Sequence, residues 1–132
     1  MSKHDDVVLR AESVGMVFNQ DTPEAVTAIA DISFDLHRGE VVAIVGPSGC
    51  GKTTLFNVIA GLLEPTRGRI NVNGEPVHSA TGHVGYMLQK DLLLPWRTVM
   101  DNVIVGLQVR NTPRKEAEAK AKVLIEAYGL KG

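Results

Sequence analysis

The sequence predicts an α/β fold, on three observations. A β-branched apolar run at residues 41–45 (Val41, Val42, Ile44, Val45) leads through a glycine-rich stretch into a helical run from Leu55 to Ala60. Upstream of that run, and again from Arg69, apolar residues alternate with polar ones, the two-residue period of half-buried antiparallel strands. From Thr98 onward the apolar spacing changes to three and four, the period of amphipathic helices. At 132 residues the chain is long enough for one ordinary domain and too short for two large ones.

Each element has its own local reason. Val7 to Val14 reads as a first strand, and residues 15–27, with Asn19, Asp21 and Pro23, as a loop. Ile29 to Leu36 places Ile32, Phe34 and Leu36 on one face of a second strand, with Asp31 and Asp35 solvated on the other. Residues 37–40 turn the chain into a buried strand at 41–45. The first helix is expected from Thr53 to Ala60, with Gly61 just past its end. Residues 64–68 form a turn. The run 69–73 then meets an Asn73-Gly74 pair, the signal of a tight hairpin, with residues 75–78 returning. Residues 84–89 read as another buried strand, with Gln89, Lys90 and Asp91 at its carboxyl end, where α/β sheets bind ligands.

The last third is helical. Thr98 caps a helix with Asp101 closing a capping-box pattern, and Val99, Val103 and Leu107 share one face. Thr112-Pro113 opens another helix with proline at its first position. Ala117, Ala121, Leu124, Ile125 and Tyr128 form its apolar stripe, and Gly129 ends it. Arg114, Lys115, Glu116, Glu118, Lys120 and Lys122 make a solvated face. A mild boundary lies at residues 92–95, which divides the chain into 1–91 and 92–132.

The glycine-rich stretch carries the chemistry. Gly46-Pro47-Ser48-Gly49-Cys50-Gly51-Lys52-Thr53 completes the pattern G-x-x-x-x-G-K-S/T between a strand and a helix. A polyphosphate needs several backbone N–H groups converging on it, so the chain must wrap closely, and glycines at 46, 49 and 51 permit that approach. The following helix aims its free N–H groups and positive dipole end at the same anion. Lys52 adds a mobile point charge for the β- and γ-phosphates, and the Thr53 hydroxyl suits the accompanying Mg²⁺. Two readings of Cys50 stand: a redox-sensitive thiol beside the phosphates, or a small filler at a variable loop position.

Composition excludes several classes. A net charge of −1 leaves nucleic-acid binding without electrostatic support. No apolar run approaches the roughly 20 residues that span a bilayer, and Met1 to Arg10 lacks a signal-peptide pattern. The single cysteine suits a reducing cytosol. His4, His37, His78 and His83 lack metal-ligand spacing and are expected in turns.

Several stretches resemble one family, the ATP-binding subunits of ABC transporters. Residues 46–55 followed by Ile59-Ala60-Gly61-Leu62 resemble its Walker A loop and helix. Residues 85–96 resemble its Q-loop, and Val99-Met100-Asp101-Asn102-Val103 the start of its helical subdomain. The Leu-Leu-Pro-Trp-Arg-Thr wording at 93–98 is similar to importers for nitrate, sulfonates, taurine or pyrimidine precursors.

The resemblance implies a P-loop NTPase with a RecA-like core, an N-terminal antiparallel β arm and the start of a helical subdomain. ATP and Mg²⁺ are the implied ligands, held by residues 46–54 (Thr54 included). Phe18 falls where the family stacks an aromatic on adenine; packing under the loop is the other reading. Gln89 would complete the Mg²⁺ shell and, with Lys52, serve catalysis. Residues 90–97 would dock a membrane permease, with Leu92, Leu93, Leu94 and Trp96 as an apolar patch, or pack between subdomains instead. A second ATP-binding subunit would close a dimer, peripheral on the inner face of the cell membrane.

The family also carries a signature loop, a Walker B strand ending in Asp-Glu and a switch histidine, none of which occurs in residues 1–132. The stretch is therefore expected to be the truncated, N-terminal half of such a subunit and inactive alone. Strands of the other half separate residues 41–45 from 84–88 in that family, so both are expected to present unpaired backbone and bare apolar side chains. Two further readings are a nucleotide-binding fragment without turnover and a soluble ABC-type ATPase acting away from membranes.

Overall fold

In the computed structural model, residues 6–78, 84–90 and 92–130 are described. The chain divides into two compact units, 1–87 and 88–132.

The first unit is built on an antiparallel sheet of four strands in the order β2-β1-β3-β4: β1 Val7–Phe18, β2 Val26–His37, β3 Arg67–Val72 and β4 Glu75–Pro76. β1 and β2 run well past the expected limits, so the loop shrinks from residues 15–27 to a turn at 19–25. Cross-strand pairing overrides the turn propensity of Asn19, Asp21 and Pro23 at its margins: Met16 pairs with Ile29, and Phe18 with Val26. Shifts of register between Ala11 and Met16 put both Ile29 and Ile32 toward the core, although their spacing is odd. Along the rest of β2 the alternation holds, with Ile32, Phe34 and Leu36 half-buried and residues 31, 33 and 35 exposed. On the outer face Arg10 donates twice to Asp35, both at 2.9 Å, and Asp31 lies 3.9 Å from Arg67. Both aspartates are therefore solvated and paired with cations.

Asn73 and Gly74 both take positive φ (51° and 82°), and their turn joins β3 to β4. The ladder ends at Pro76, although Val77 still donates its N–H to Ile70 O at 2.9 Å.

Helix α1, Lys52–Ile59, covers the inner face of this sheet. Leu55 meets Met16 and Ile29, while Val58 joins Leu9, Ala11, Val14, Ile70 and Val72. The helix stops at Gly61 (φ +70°) as expected: Leu62 N–H bonds Asn57 O and Gly61 N–H bonds Val58 O, closing a left-handed cap.

The two expected buried strands at 41–45 and 84–89 are absent from the ladders. Neither segment is paired among the described residues, and Val41 and Val45 are 94% and 92% exposed. Only Ile44 and Val84 reach the apolar clusters. The physical reason is that a strand exists only with a neighbour alongside it, and β1 to β4 place none beside these segments.

The second unit holds α2 Val99–Val103, α3 Val105–Val109 and α4 Arg114–Ala127. The single helix expected after Thr98 is thus two short ones. Of its predicted face only Leu107 packs inward: Val99 and Val103 are exposed, and Ile104 at the junction is fully buried against Ala117 and Ala121. Thr98 caps α2 as expected, accepting from Asp101 N–H at 3.1 Å and donating to Asp101 Oδ2 at 2.7 Å. Pro113 is the cap residue of α4, one position earlier than expected. Of its stripe, Ala117 and Ala121 are buried and Ile125 half-buried, while Leu124 and Tyr128 are exposed. Gly129 takes the left-handed turn that ends it.

Candidate functional site

The loop at residues 46–51 stands at the N-terminus of α1, which the sheet holds by Leu55 and Val58. Two features make the loop specific. Gly51, with φ +95°, brings the backbone against β2: a Cβ there would lie 2.3 Å from Ala28 O. Gly46 sits on the inside of the loop, where a Cβ would fall 2.7 Å from Cys50 Sγ and 4.0 Å from Lys52 Nζ. A weak turn bond from Cys50 N–H to Pro47 O, 3.4 Å, spans the middle.

Lys52 folds back over this loop. Its ammonium donates to Gly46 O at 2.7 Å, Pro47 O at 2.6 Å and Cys50 Sγ at 3.3 Å. The charge is thus held by main-chain carbonyls and a soft sulfur, with no carboxylate among the described residues paired to it. Gly51 offers α1 no capping side chain, and its first turn has no acidic residue, so the leading amides and the positive end of the helix face outward unopposed. Thr53 is exposed at the second position of the helix and Thr54 half-buried at the third. A cradle lined by backbone, one cation and one hydroxyl fits a polyphosphate with its divalent ion.

The other sequence candidates lie elsewhere. Phe18 is the last residue of β1, opposite Val26 and 38% exposed. Gln89 is exposed and belongs to the second unit, which also contains an apolar groove of about 640 Å³ lined by Leu92, Leu93, Leu94, Asn102, Val103 and Val105. Asn102 shapes that segment: its side chain accepts from Leu94 N–H at 2.8 Å and donates to Leu94 O at 3.2 Å. Asp91, His4 and His83 lie outside the described residues. His37 closes β2 and His78 follows β4, both exposed, and no group of three or more potential metal-ligating side chains occurs among the described residues.

Sequence reasoning missed two residues near the site. Tyr86 Oη donates to Asn57 Oδ1 at 2.8 Å, tying α1 to the segment that leads to Gln89. They are 29 positions apart, and no local pattern marks such a pair.

A sheet-backed helix rising from a glycine loop with its lysine folded inward defines the class: a P-loop NTPase fold. A family model described as ABC transporter matches residues 29–132, and the chain belongs to that family. It is 44% identical over 107 residues to the uncharacterized ABC transporter ATP-binding protein YtlC of Bacillus subtilis, covering 81% of this chain and 41% of that protein. It is 36% identical over 122 residues to the taurine import ATP-binding protein TauB of Pseudomonas aeruginosa, covering 92% of this chain and 46% of that protein. The chain therefore spans less than half the length of these curated relatives. Among solved structures it superposes on the dimeric ATP-binding cassette MJ0796 bound to ADP and Pi with a TM-score of 0.76, at 23% identity, over 89% of this chain and 56% of that one. That likeness establishes the cassette fold.

Proposed function

We propose that residues 46–54 bind Mg-ATP and that the chain acts within the ATP-binding subunit of an importer. The single observation carrying this reading is the inward fold of Lys52 over a carbonyl-lined loop at an uncapped helix N-terminus. Loop amides and the end of α1 would bind the β- and γ-phosphates. Lys52 would exchange its carbonyl partners for phosphate oxygens, and Thr53 would offer its hydroxyl to Mg²⁺, the ion that neutralises charge on the transferring phosphate. By the family resemblance Gln89 would contribute to the metal shell and position water, and Phe18 would stack on the adenine.

ATP turnover, closure against a second ATP-binding subunit and coupling to a membrane permease belong to the intact assembly, peripheral on the inner face of the cell membrane. The apolar groove lined by Leu92, Leu93 and Leu94, with Trp96 of the same segment exposed, supports docking through the 90–97 segment, since an open apolar groove suits a partner helix. Relatives named for taurine import support uptake rather than export as the direction. No helix among the described residues is long and apolar enough to cross a membrane.

Calorimetry with Mg-ATP tests the reading. Lys52→Ala is expected to weaken binding by about 10- to 100-fold, the loss of charge-assisted bonds of roughly 1.5–3 kcal/mol. Affinity indifferent to that substitution would refute it.

A further inference from the structure

We propose that Thr66 is a positioning residue for the base of the nucleotide: its hydroxyl fixes the end of β1 that carries Phe18. The inference rests on the Mg-ATP reading above, with Phe18 against the adenine, and deepens it by naming what holds that ring in place.

β1 is irregular just where it approaches Phe18. Ser13 takes a positive φ of 45°, and the register slips against β2 between Ala11 and Val14 and against β3 between Glu12 and Gly15. Such bulges bend a strand, raise its twist and interrupt its ladder bonds. Two hydroxyls stand in for the missing partners. On the β2 side Ser33 Oγ accepts from Ser13 N–H at 2.8 Å. On the β3 side Thr66 Oγ1 accepts from Val17 N–H at 3.2 Å and donates to Gly15 O at 3.1 Å, while Thr66 N–H bonds the same carbonyl at 2.9 Å. Arg67 then donates across Gly15 to Ala30 O on β2; a Cβ on Gly15 would lie 2.9 Å from Arg67 Nε and obstruct that crossing.

β3 begins at Arg67, opposite Gly15, so its ladder with β1 stops short of Phe18. Past that point β2 holds one edge of β1, through the Val17–Thr27 and Phe18–Val26 pairs, and the Thr66 hydroxyl holds the other. Val17 is covalently next to Phe18, so a bond that sets the direction of its N–H also sets where the Phe18 ring leaves the strand. The ring is within reach of a nucleotide seated on the loop. Gly51 lies against Ala28 O. Val26 is two residues from Ala28 along β2, about 7 Å, and Phe18 sits opposite Val26, about 5 Å further. A ribose bridges that span.

Calorimetry of the chain with Mg-ATP and with Mg-tripolyphosphate, which offers phosphates and no base, tests the role. The parent chain is expected to bind both, ATP more tightly. Thr66→Val keeps the branched shape and removes the hydroxyl; it should weaken Mg-ATP about threefold, within the worth of one net hydrogen bond, and leave tripolyphosphate unchanged. Thr66→Ser should restore the ATP affinity. Phe18→Ala should weaken ATP alone by at least about fivefold, the loss of one stacked base, and adding Thr66→Val to it should cost nothing further. Equal losses for both ligands in Thr66→Val, no loss for either, no rescue by Thr66→Ser, or additive losses in the double variant would overturn the positioning role. So would an ATP affinity that survives Phe18→Ala, which leaves the phosphate-loop reading standing. A parent chain that binds neither ligand would overturn the Mg-ATP reading and this inference with it.

Discussion

Gly51 shows how one residue serves both fold and site. Its positive φ turns the chain into α1, and the missing side chain lets that turn lie against Ala28 O. An alanine there meets both an unfavourable left-handed backbone and a carbonyl that belongs to β2 and cannot swing away. Gly51→Ala is expected to destabilise the chain by at least about 2 kcal/mol, read as a lowered urea midpoint, and to weaken Mg-ATP binding along with it. The requirement for a small residue was legible from the motif. The contact with Ala28 was not, because it joins residues 23 positions apart in the chain that no shared local pattern connects.

At the scale of elements, the N-terminus of α2 and the junction after it make separable contributions. Thr98→Ala removes the hydroxyl that satisfies Asp101 N–H and should cost about 1 kcal/mol in thermal unfolding. The Thr98 hydroxyl, and after it the charge of Arg114 2.8 Å away, hold the Asp101 carboxyl below its usual range against an opposing push from burial. A lowered value means that the stabilisation is complete above the unfolded carboxylate value of about 3.9 and is lost as pH falls through the folded one. Melting temperatures of the parent chain and Asp101→Asn, followed by circular dichroism from neutral to acid pH, should therefore differ most near neutrality and converge in acid. Ile104 is the keystone of the helical unit, packed on Ala117 and Ala121. Ile104→Ala should cost about 2–5 kcal/mol there, measured by the same melts. The cap was readable from Thr98 and Asp101 because it acts within one turn. The buried face was read one position off: it runs through Met100, Ile104 and Leu107, and the sequence offers an equally apolar period through Val99 and Val103.

The whole molecule presents apolar surface that its own described elements do not cover: Val41 and Val45 before the loop, Met87 beyond Tyr86. Strand-forming residues with free backbone groups favour pairing with another chain. Size-exclusion profiles at rising concentration should show self-association, reduced by Val45→Lys; a sharp monomeric melt at all concentrations would count against it. Local chemistry, acting over a few residues, was determined by the sequence alone: the phosphate loop and its lysine, the Asn73-Gly74 hairpin, the Thr98 cap, and the glycines that end α1 and α4. The tertiary structure alone decided that β1 and β2 extend to the turn at 19–25, that the buried face after Thr98 runs through Ile104, and that Tyr86 reaches Asn57. Those outcomes depend on which segments lie side by side, and a residue's own neighbours in the chain carry no record of that.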